Sequence, residues 1–219
     1  NNNNNNNNTV HRLTLELATE VLPKATDNVL KLLDSHNKDG DGEGYRSSTL
    51  HRIEKGVGIL GGLVASNPNH NPHQVGAPTT KRKMGRCHPS NRMKTSPTTM
   101  DVSSEKFVLH HLPGVVTMLQ PRIGEIDSRF LVLSHNAPHL DGVSLAVGRL
   151  VDDNNSDNDS DSDSSSLETV QKWESSLITS HGVPTNVVLR VVDCGLLPDD
   201  TKTESVVVGG GEPKQQQQM

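Results

Sequence analysis

The chain has 219 residues, of which 31% are hydrophobic, and its formal net charge at pH 7 is −5. This length predicts one domain with insertions. The hydrophobic share lies below the roughly 45–50% of an average globular domain, a figure that also counts glycine, so the folded part is smaller than the chain. Most of the negative charge comes from one acidic segment, residues 152–166, so the charge does not indicate nucleic-acid binding.

Cysteine content and hydropathy argue against two further classes of protein. The two cysteines, Cys87 and Cys194, stand in unrelated contexts, which argues against a disulfide framework and a structural zinc site. No run approaches the roughly 18 apolar residues that span a bilayer, so we predict a soluble protein. The first residue is not Met, so we expect the native amino terminus to lie upstream, and the sequence indicates no compartment.

The amino-terminal residues predict a disordered tract, a strand and a helix. Residues 1–8 are all asparagine and offer no apolar face. Residues 10–17 alternate in hydropathy, which predicts a half-buried strand whose apolar face is formed by Val10, Leu13, Leu15 and Leu17. Pro23 is typical of a first helical turn, and apolar residues follow it at helical spacing: Ala25, Val29, Leu30, Leu32 and Leu33.

Residues 34–44 have the composition of a calcium-binding loop but lack its closing ligand. Four residues fit loop positions one, three, five and six: Asn37, Asp39, Asp41 and Gly42. The twelfth position, a bidentate glutamate in such loops, is Ser48, and the apolar eighth position is Gly44. No second helix of EF-hand type follows, so we predict a polar loop.

Residues 65–105 are rich in proline, asparagine, threonine and basic residues, which predicts a solvated loop. One basic cluster in it could contact phosphate: Lys81, Arg82, Lys83 and Arg86. Aromatic residues do not interleave with these charges, as they do in binding sites for single-stranded nucleic acid. The loop interpretation is therefore favoured.

Two histidine pairs are candidate metal ligands, His70 with His73 and His135 with His139. Pro138 prevents a helix from carrying the second pair on one face. No carboxylate or thiol cluster accompanies either pair. The sequence therefore predicts no metal site.

Residues 128–150 predict two buried strands joined by a tight turn. Residues 130–133 and 143–150 are apolar runs rich in aliphatic and β-branched side chains. Between them lies Pro138, and Asp141-Gly142 supplies a turn position that tolerates positive φ.

The carboxyl-terminal part predicts a disordered insert, a helix, a strand and a disordered tail. Residues 152–166 are acidic and rich in serine, cannot bury a core, and contain candidate phosphorylation sites. Residues 167–178 carry apolar side chains at helical spacing, namely Leu167, Val170, Trp173 and Leu177. We assign Trp173 to core packing. Residues 186–195 predict the last strand, and residues 198–219 the tail.

Six segments, in this order, resemble the cyclophilin family of peptidyl-prolyl isomerases. They are VLPKATDNVLKLL at residues 21–33, YRSSTLHRI at 45–53, HLPGVVTM at 111–118, SRFLVL at 128–133, LDG at 140–142 and DCG at 193–195. The resemblance covers most of residues 9–197, apart from the divergent loop 65–105 and the acidic insert 152–166. It implies a mainly β fold, a closed antiparallel barrel of eight strands capped by two α-helices. It also implies a monomer that needs no metal, nucleotide or other cofactor.

The resemblance gives Arg52 the catalytic role. Rotation about an X-Pro bond is opposed by amide resonance, with a barrier of roughly 18–20 kcal/mol. A guanidinium that donates a hydrogen bond to the proline nitrogen, as that nitrogen becomes pyramidal, weakens the resonance. Such a group must act preferentially on the twisted state. Arginine suits this role because it stays charged and offers several donors in a fixed geometry.

The resemblance also implies a substrate pocket, and this chain departs from the family pattern at most of its positions. The family has aromatic residues at the positions of Val57 and Leu131, and at that of Leu60 a glutamine that holds the substrate carbonyl. Arg129 replaces another glutamine, and Ser144 a frequent histidine. The candidate substrate-binding residues are His51, Val57, Leu60, Met118, Gln120, Arg129, Leu131, His139, Leu140 and Ser144. An apolar pocket remains, but we do not expect it to hold proline in the family's usual way.

Two functions follow from this reading. The first is a prolyl isomerase of low activity that acts through Arg52 on proline-containing peptides or proteins. The second is a cyclophilin-like scaffold that has lost efficient catalysis and binds a protein partner. Arg52 favours the first function. The replaced pocket residues favour the second, namely Val57, Leu60, Leu131, His139 and Ser144. Fold alone does not decide between them.

Overall fold

The structure is a computed structural model, which describes residues 9–34, 44–46, 48–64, 85–96, 98–105, 111–152, 165–185 and 187–197. Several sequence predictions fall outside these residues: the asparagine tract, most of the calcium-type loop, Lys81, Arg82 and Lys83, His70 with His73, most of the acidic insert, and the tail. In chain order the strands and α-helices are β1 (Thr14–Leu17), α1 (Pro23–Asp34), β2 (Thr49–Leu50), β3 (Arg52–Glu54), β4 (Gly58–Gly61), β5 (Met100–Asp101), β6 (Val115–Met118), β7 (Glu125–Ile126), β8 (Phe130–Leu133), β9 (Leu145–Val151), α2 (Ser166–Ser176), β10 (Thr179–Ser180), β11 (Val183–Pro184) and β12 (Leu189–Arg190).

The central element is an antiparallel sheet of six strands in the order β1-β9-β6-β8-β4-β3. The remaining described strands form three pairs, β10 with β11, β12 with β2, and β5 with β7. The fold is therefore mainly β with two α-helices, as predicted. The predicted closed barrel of eight strands is not confirmed, because β1 and β3 end the order and the other described strands are only two residues long.

The strands β8 and β9 do not form the predicted hairpin. β6 lies between them and pairs with both, so its residues 115–118 are the centre of the sheet. The connection from β8 to β9 instead contains a 3-10 helix, Pro138–Leu140, and the predicted Asp141-Gly142 turn. Gly142 has a φ of +73°, in the left-handed region that glycine adopts without strain. The apolar runs were correctly assigned as strands, but hydropathy alone does not reveal which strand is a neighbour.

The two faces of the sheet carry different side chains because successive residues of a strand point to opposite sides. One row across the sheet is Ile53, Ile59, Val132 and Val116, paired strand to strand. All four are buried in the main core. Burying an aliphatic side chain of this size stabilises the fold by about 1.5–3 kcal/mol. The packing of this inward face therefore stabilises the fold.

Both helices pack an apolar side against the main core. In α1, Pro23 is the first helical residue as predicted, and Ala25, Val29 and Leu32 are buried in the core. α2 begins at Ser166, where Ser165 and Glu168 form a capping box. Removing such a cap costs about 0.5–2 kcal/mol. Trp173 is partly buried against the core, in line with its assignment to packing. Among the described helices, none combines the length and the hydropathy that crossing a bilayer requires.

Two strand predictions near the termini differ from the structure. β1 spans only four residues, and Val10 lies before it with 72% of its surface exposed. Leu15, predicted to face the core, is 43% exposed. Leu13 and Leu17, two residues to either side of Leu15 and on the same face, pack against the main core. The alternation therefore gives the inward face of β1 but not how far each side chain on that face is buried. The predicted last strand is reduced to β12, which pairs with β2.

The segment 85–105, predicted as part of a solvated loop, contributes to the core. Cys87, Met100 and Val102 are buried there. Burial raises the pKa of the Cys87 thiol from 9.0 to about 12, with a further contribution from the Asp127 charge. Burial likewise raises the pKa of Tyr45 well above 10.0, and its hydroxyl donates to the Ser128 carbonyl at 2.9 Å. Both groups therefore stay protonated near neutral pH.

Candidate functional site

Arg52 stands in a row of side chains on the outward face of the sheet. Its direct cross-strand partner is Leu60, which is opposite Leu131, which in turn is opposite Thr117. Directly opposed residues in antiparallel strands share a face and lie about 4.5–5.5 Å apart. The sheet therefore brings the predicted catalytic arginine next to two of the predicted pocket residues.

An apolar cluster occupies this outward face, separate from the main core. Leu131, Leu133 and Ala137 are its buried members. Five partly buried residues surround them: Val57, Leu60, Val115, Leu119 and Leu140. We call these eight residues the outer cluster. It brings together four predicted pocket residues (Val57, Leu60, Leu131 and Leu140) and places apolar surface beside Arg52.

The Arg52 side chain is 49% exposed and forms an ion pair with Glu54, through Nε and Oε1. The two residues are two positions apart on β3, so they lie on the same face of the sheet. An exposed pair of this kind is worth about 0.2–1 kcal/mol. Arg52 is therefore accessible to a ligand, but part of its hydrogen-bonding capacity is already used within the chain.

A tight turn between β10 and β11 lies against Arg52. The amide of Ile53 donates to the Gly182 carbonyl at 2.7 Å, which joins the turn to β3. Gly182 has a φ of +81°, and a Cβ added there would lie 3.0 Å from the Ile53 carbonyl and 3.3 Å from Cγ and Nε of Arg52. His181 before it has a φ of +50°. The turn therefore borders the arginine stem closely, and both its φ and these contacts favour glycine at position 182.

Arg129 is held by a buried carboxylate and is not free to move toward a ligand. Its guanidinium forms an ion pair with Asp127 at 2.7 Å, and its Nε donates to both oxygens of the same carboxylate at 2.9 and 3.1 Å. The Arg129 side chain is 17% exposed, whereas that of Asp127 is fully buried. Removing either partner would leave a buried charge uncompensated. The geometry gives Arg129 a structural role in addition to its predicted place in the pocket.

A buried histidine, His111, binds the turn that follows Leu140. His111 is fully buried, and its Nδ1 lies 2.7 Å from Oδ1 of Asp141. The His111 amide donates to the same oxygen at 3.0 Å, and Nε2 lies 3.2 Å from the Thr117 hydroxyl. These contacts connect β6 to the Asp141-Gly142 turn. They therefore hold Leu140 at the edge of the outer cluster.

The other predicted pocket residues are placed less favourably. Met118 is fully buried in the main core, because it follows Thr117 and so points to the opposite face of the sheet. Ser144 is buried, and His139 is exposed on the 3-10 helix before Leu140. His51 is half-buried, with Nδ1 at 3.4 Å from the Thr49 carbonyl. In this conformation Met118 is not accessible to a substrate.

Gln120 contributes to the turn that follows β6. Its Oε1 accepts a hydrogen bond from the Gly124 amide at 2.9 Å. Within the described part of the chain, its Nε2 is buried and has no hydrogen-bond partner. Because this donor is buried, the structure does not present it to a ligand.

Several residues of the site were not assigned a role from the sequence. Leu119, Leu133 and Glu54 follow directly from strand alternation, since each is two positions from a residue already placed on the outward face. Gly182 carries no such signal, because the β10–β11 turn approaches β3 only in the folded chain. Among the described residues, no three His, Cys, Asp or Glu side chains group in a way that could hold a metal ion.

Comparison with known proteins identifies the family of this chain. A model of the cyclophilin type peptidyl-prolyl cis-trans isomerase family matches residues 5–158. Peptidyl-prolyl cis-trans isomerase-like 3 of Neurospora crassa is 26% identical over 148 residues, which cover 67% of this chain and 74% of that protein. The NK-tumor recognition proteins of Mus musculus and Homo sapiens are each 24% identical over 193 residues, which cover 86% of this chain.

The chain spans only 11% of the length of the two NK-tumor recognition proteins. The match to the family model, by contrast, extends over more than half of this chain and includes Arg52, β6, β8 and the Asp141-Gly142 turn. It therefore contains the sheet strands that carry the outer cluster. This chain belongs to the cyclophilin type peptidyl-prolyl cis-trans isomerase family.

Proposed function

We propose that this chain catalyses cis–trans rotation of X-Pro bonds in proline-containing peptides or proteins, at a low rate and through Arg52. The observation that carries the proposal is the position of Arg52, half-exposed at the edge of the outer cluster and directly opposite Leu60. An apolar surface beside a permanent cation is what the reaction requires. The proline ring binds to the apolar side chains, while the guanidinium acts on the proline nitrogen.

Catalysis by Arg52 must come from a difference between the planar and the twisted amide. In the planar substrate the proline nitrogen lone pair belongs to the amide resonance and is a poor acceptor. In the twisted state the lone pair becomes available, and the guanidinium donates to it. Because this interaction strengthens only as the bond rotates, it lowers the barrier instead of merely tightening binding.

Two features of the site support a low rate. Leu60 offers no hydrogen-bond donor at the position where the family has the glutamine that holds the substrate carbonyl, so the peptide is less well oriented. Glu54 forms an ion pair with Arg52 and competes with the proline nitrogen for the guanidinium. Both features weaken binding and positioning, and neither removes the catalytic group.

NMR exchange spectroscopy on a proline-containing peptide tests the proposal. We expect the chain to speed exchange above the uncatalysed scale of tens to hundreds of seconds, and Arg52→Ala to abolish the effect. Arg149→Ala is the matched control, because Arg149 is also an exposed strand arginine in an ion pair, with Glu16. Uncatalysed exchange in the folded wild-type chain, or equal loss in both variants, contradicts the proposal.

The second candidate function is a protein-binding scaffold without efficient catalysis. The replacement of the glutamine by Leu60, which makes the outer cluster more apolar, favours it. This function predicts peptide binding to the outer cluster without faster exchange. Chemical-shift changes of Leu131 and Leu140 methyl groups on peptide addition, with exchange unaffected, distinguish the scaffold from the isomerase.

A further inference from the structure

A buried carboxylate on α2 contacts the turn that precedes Val57, a member of the outer cluster. Glu174 has a side chain only 7% exposed. Its Oε1 accepts a hydrogen bond from the Gly56 amide, and its Oε2 accepts one from the Ser134 hydroxyl. The same Oε2 lies 3.2 Å from Nδ1 of His135. A buried carboxylate is costly unless it is paired and hydrogen-bonded, and here both oxygens are occupied.

The partners of Glu174 adjoin Val57, Gly56 along the chain and Ser134 and His135 through backbone hydrogen bonds. Gly56 precedes Val57, and its φ of +78° places it in a tight turn that the Val57 amide closes by donating to the Glu54 carbonyl at 2.9 Å. The Val57 carbonyl accepts from the amides of Ser134 at 3.0 Å and His135 at 3.4 Å. The Glu174 carboxylate therefore binds both backbone segments that position Val57, the turn at Gly56 and the segment at Ser134.

A second side chain of α2 reinforces this contact. Gln171, three residues before Glu174 and so on the same side of the helix, donates through Nε2 to the Ser134 carbonyl at 3.0 Å. The helix thus holds the end of β8 at two points. We call Glu174, Gln171 and their partners Gly56 and Ser134 the α2 clamp.

We propose that Glu174 is a positioning residue, which fixes Val57 as the wall of the proline site through the α2 clamp. This inference rests on the proposed function, since it concerns the same site. Arg52 itself is held separately, by the pairing of β3 with β4 and by the Ile53 hydrogen bond to Gly182. Loss of the α2 clamp therefore displaces Val57 and leaves Arg52 in place.

This separation gives the α2 clamp a kinetic signature. Val57 contacts the proline ring equally in the planar and the twisted states, so it contributes uniform binding. Removing uniform binding raises KM and leaves kcat unchanged. For Glu174→Ala we expect KM for a proline peptide to rise about three- to tenfold, the range that loss of one buried hydrogen bond supports, with kcat of the folded enzyme retained.

The variants that test the α2 clamp differ in the hydrogen-bonding groups and the charge that they keep at position 174. Glu174→Gln keeps an acceptor for the Gly56 amide and a polar group for Ser134, so we expect it to restore wild-type KM. Glu174→Asp keeps the charge but is one methylene shorter and cannot reach both partners, so we expect the same change as in Glu174→Ala. Should Glu174→Ala fail to fold, Glu174→Asp answers the question. Lys172→Ala, at an exposed position of α2, is the control.

A second measurement does not depend on activity. In proton–nitrogen NMR spectra we expect the Gly56 amide proton to move upfield in Glu174→Ala and Glu174→Asp, accompanied by shifts of the Val57 methyl groups. If the wild-type chain does not catalyse exchange, the proposed function is wrong. The Gly56 and Val57 resonances still test whether Glu174 positions Val57. Unchanged Gly56 and Val57 resonances in folded variants overturn the inference, as does an equal rise in KM in Lys172→Ala.

Discussion

At the scale of single residues, Glu54 is the neighbour that most directly limits Arg52. Its carboxylate pairs with the Arg52 guanidinium on the same face of β3. We expect Glu54→Gln to raise kcat/KM by up to about fivefold, the factor that corresponds to an exposed ion pair of up to about 1 kcal/mol. Exchange spectroscopy measures the change, with Glu16→Gln as the control, because Glu16 forms an exposed ion pair with Arg149. A rate that stays the same shows that Glu54 does not compete for Arg52, and a rate that falls shows that Glu54 orients it.

Leu60 is the residue whose replacement should restore most of the family's pattern. It is half-buried at the edge of the outer cluster, directly opposite Arg52. Leu60→Gln introduces a donor for the substrate carbonyl, and one hydrogen bond of about 0.5–1.5 kcal/mol corresponds to a rise in kcat/KM of about two- to tenfold. Leu60→Met, which has similar volume and no donor, is the control. Equal rates in the two variants count against a missing carbonyl contact.

At the scale of elements, the β10–β11 turn is expected to control the Arg52 stem. A Cβ at Gly182 meets both the Ile53 carbonyl and the Arg52 side chain, and its φ of +81° is strained for any other residue. We expect Gly182→Ala to lower kcat/KM several-fold and to destabilise the fold by about 1–2 kcal/mol. Gly195→Ala is the control, because its Cβ meets nothing within 4 Å. Unchanged kinetics in Gly182→Ala would show that the turn does not restrain Arg52.

Two consecutive residues of β6 lie on opposite faces of the sheet, one toward the main core and one toward the proposed site. Met118 points into the main core, and Thr117 points to the outward face. We expect Met118→Ala to lower the free energy of unfolding by about 2–5 kcal/mol and to leave KM and kcat of the folded fraction unchanged. Urea unfolding and exchange spectroscopy below the transition measure the two effects. A rise in KM in Met118→Ala would show that Met118 does contribute to substrate binding.

The elements also show what could be predicted from this sequence. The helix at Pro23 and the apolar run of β8 follow from periodicity and turn residues, which are local properties. The role of Arg52 follows only from the resemblance to the family. The position of β6 between β8 and β9 is a pairing choice between distant segments and has no local signal. Met118 was assigned to the site because its motif was matched as a whole, although alternation from Thr117 places it inside. The partners of Glu174 come from three separate segments, so spacing along the chain could not reveal them.

At the scale of the whole molecule, the buried protonated groups Cys87 and Tyr45 contribute to the pH dependence of stability at high pH. The pKa of Cys87 rises from 9.0 in the unfolded chain to about 12 in the fold, and that of Tyr45 is also raised. Above pH 9 the unfolded chain releases the thiol proton and the folded chain keeps it, so stability is complete below pH 9 and falls as pH rises toward 12. One such group contributes about 1.4 kcal/mol per pH unit at most.

Urea unfolding of the wild-type chain and of Cys87→Ala between pH 8 and about 11 tests this dependence. We expect the free energy of unfolding to decline less steeply in Cys87→Ala above pH 9, whatever its value at pH 8. The slope is compared because the substitution also leaves a small cavity in the core. Parallel slopes would show that the thiol does not stay protonated in the folded state.

The alternation of faces in the central sheet assigns packing and the proposed ligand contact to different residues of the same strands. Ile59 and Val132 must satisfy the close packing of the interior, whereas Leu60 and Leu131, adjacent to them in sequence, lie on the outward face, where we propose that the substrate binds. A change of ligand preference therefore needs no new architecture, only substitutions at every second position. This chain has family-like segments and an unfamiliar binding surface, which is the combination that such a division of labour permits.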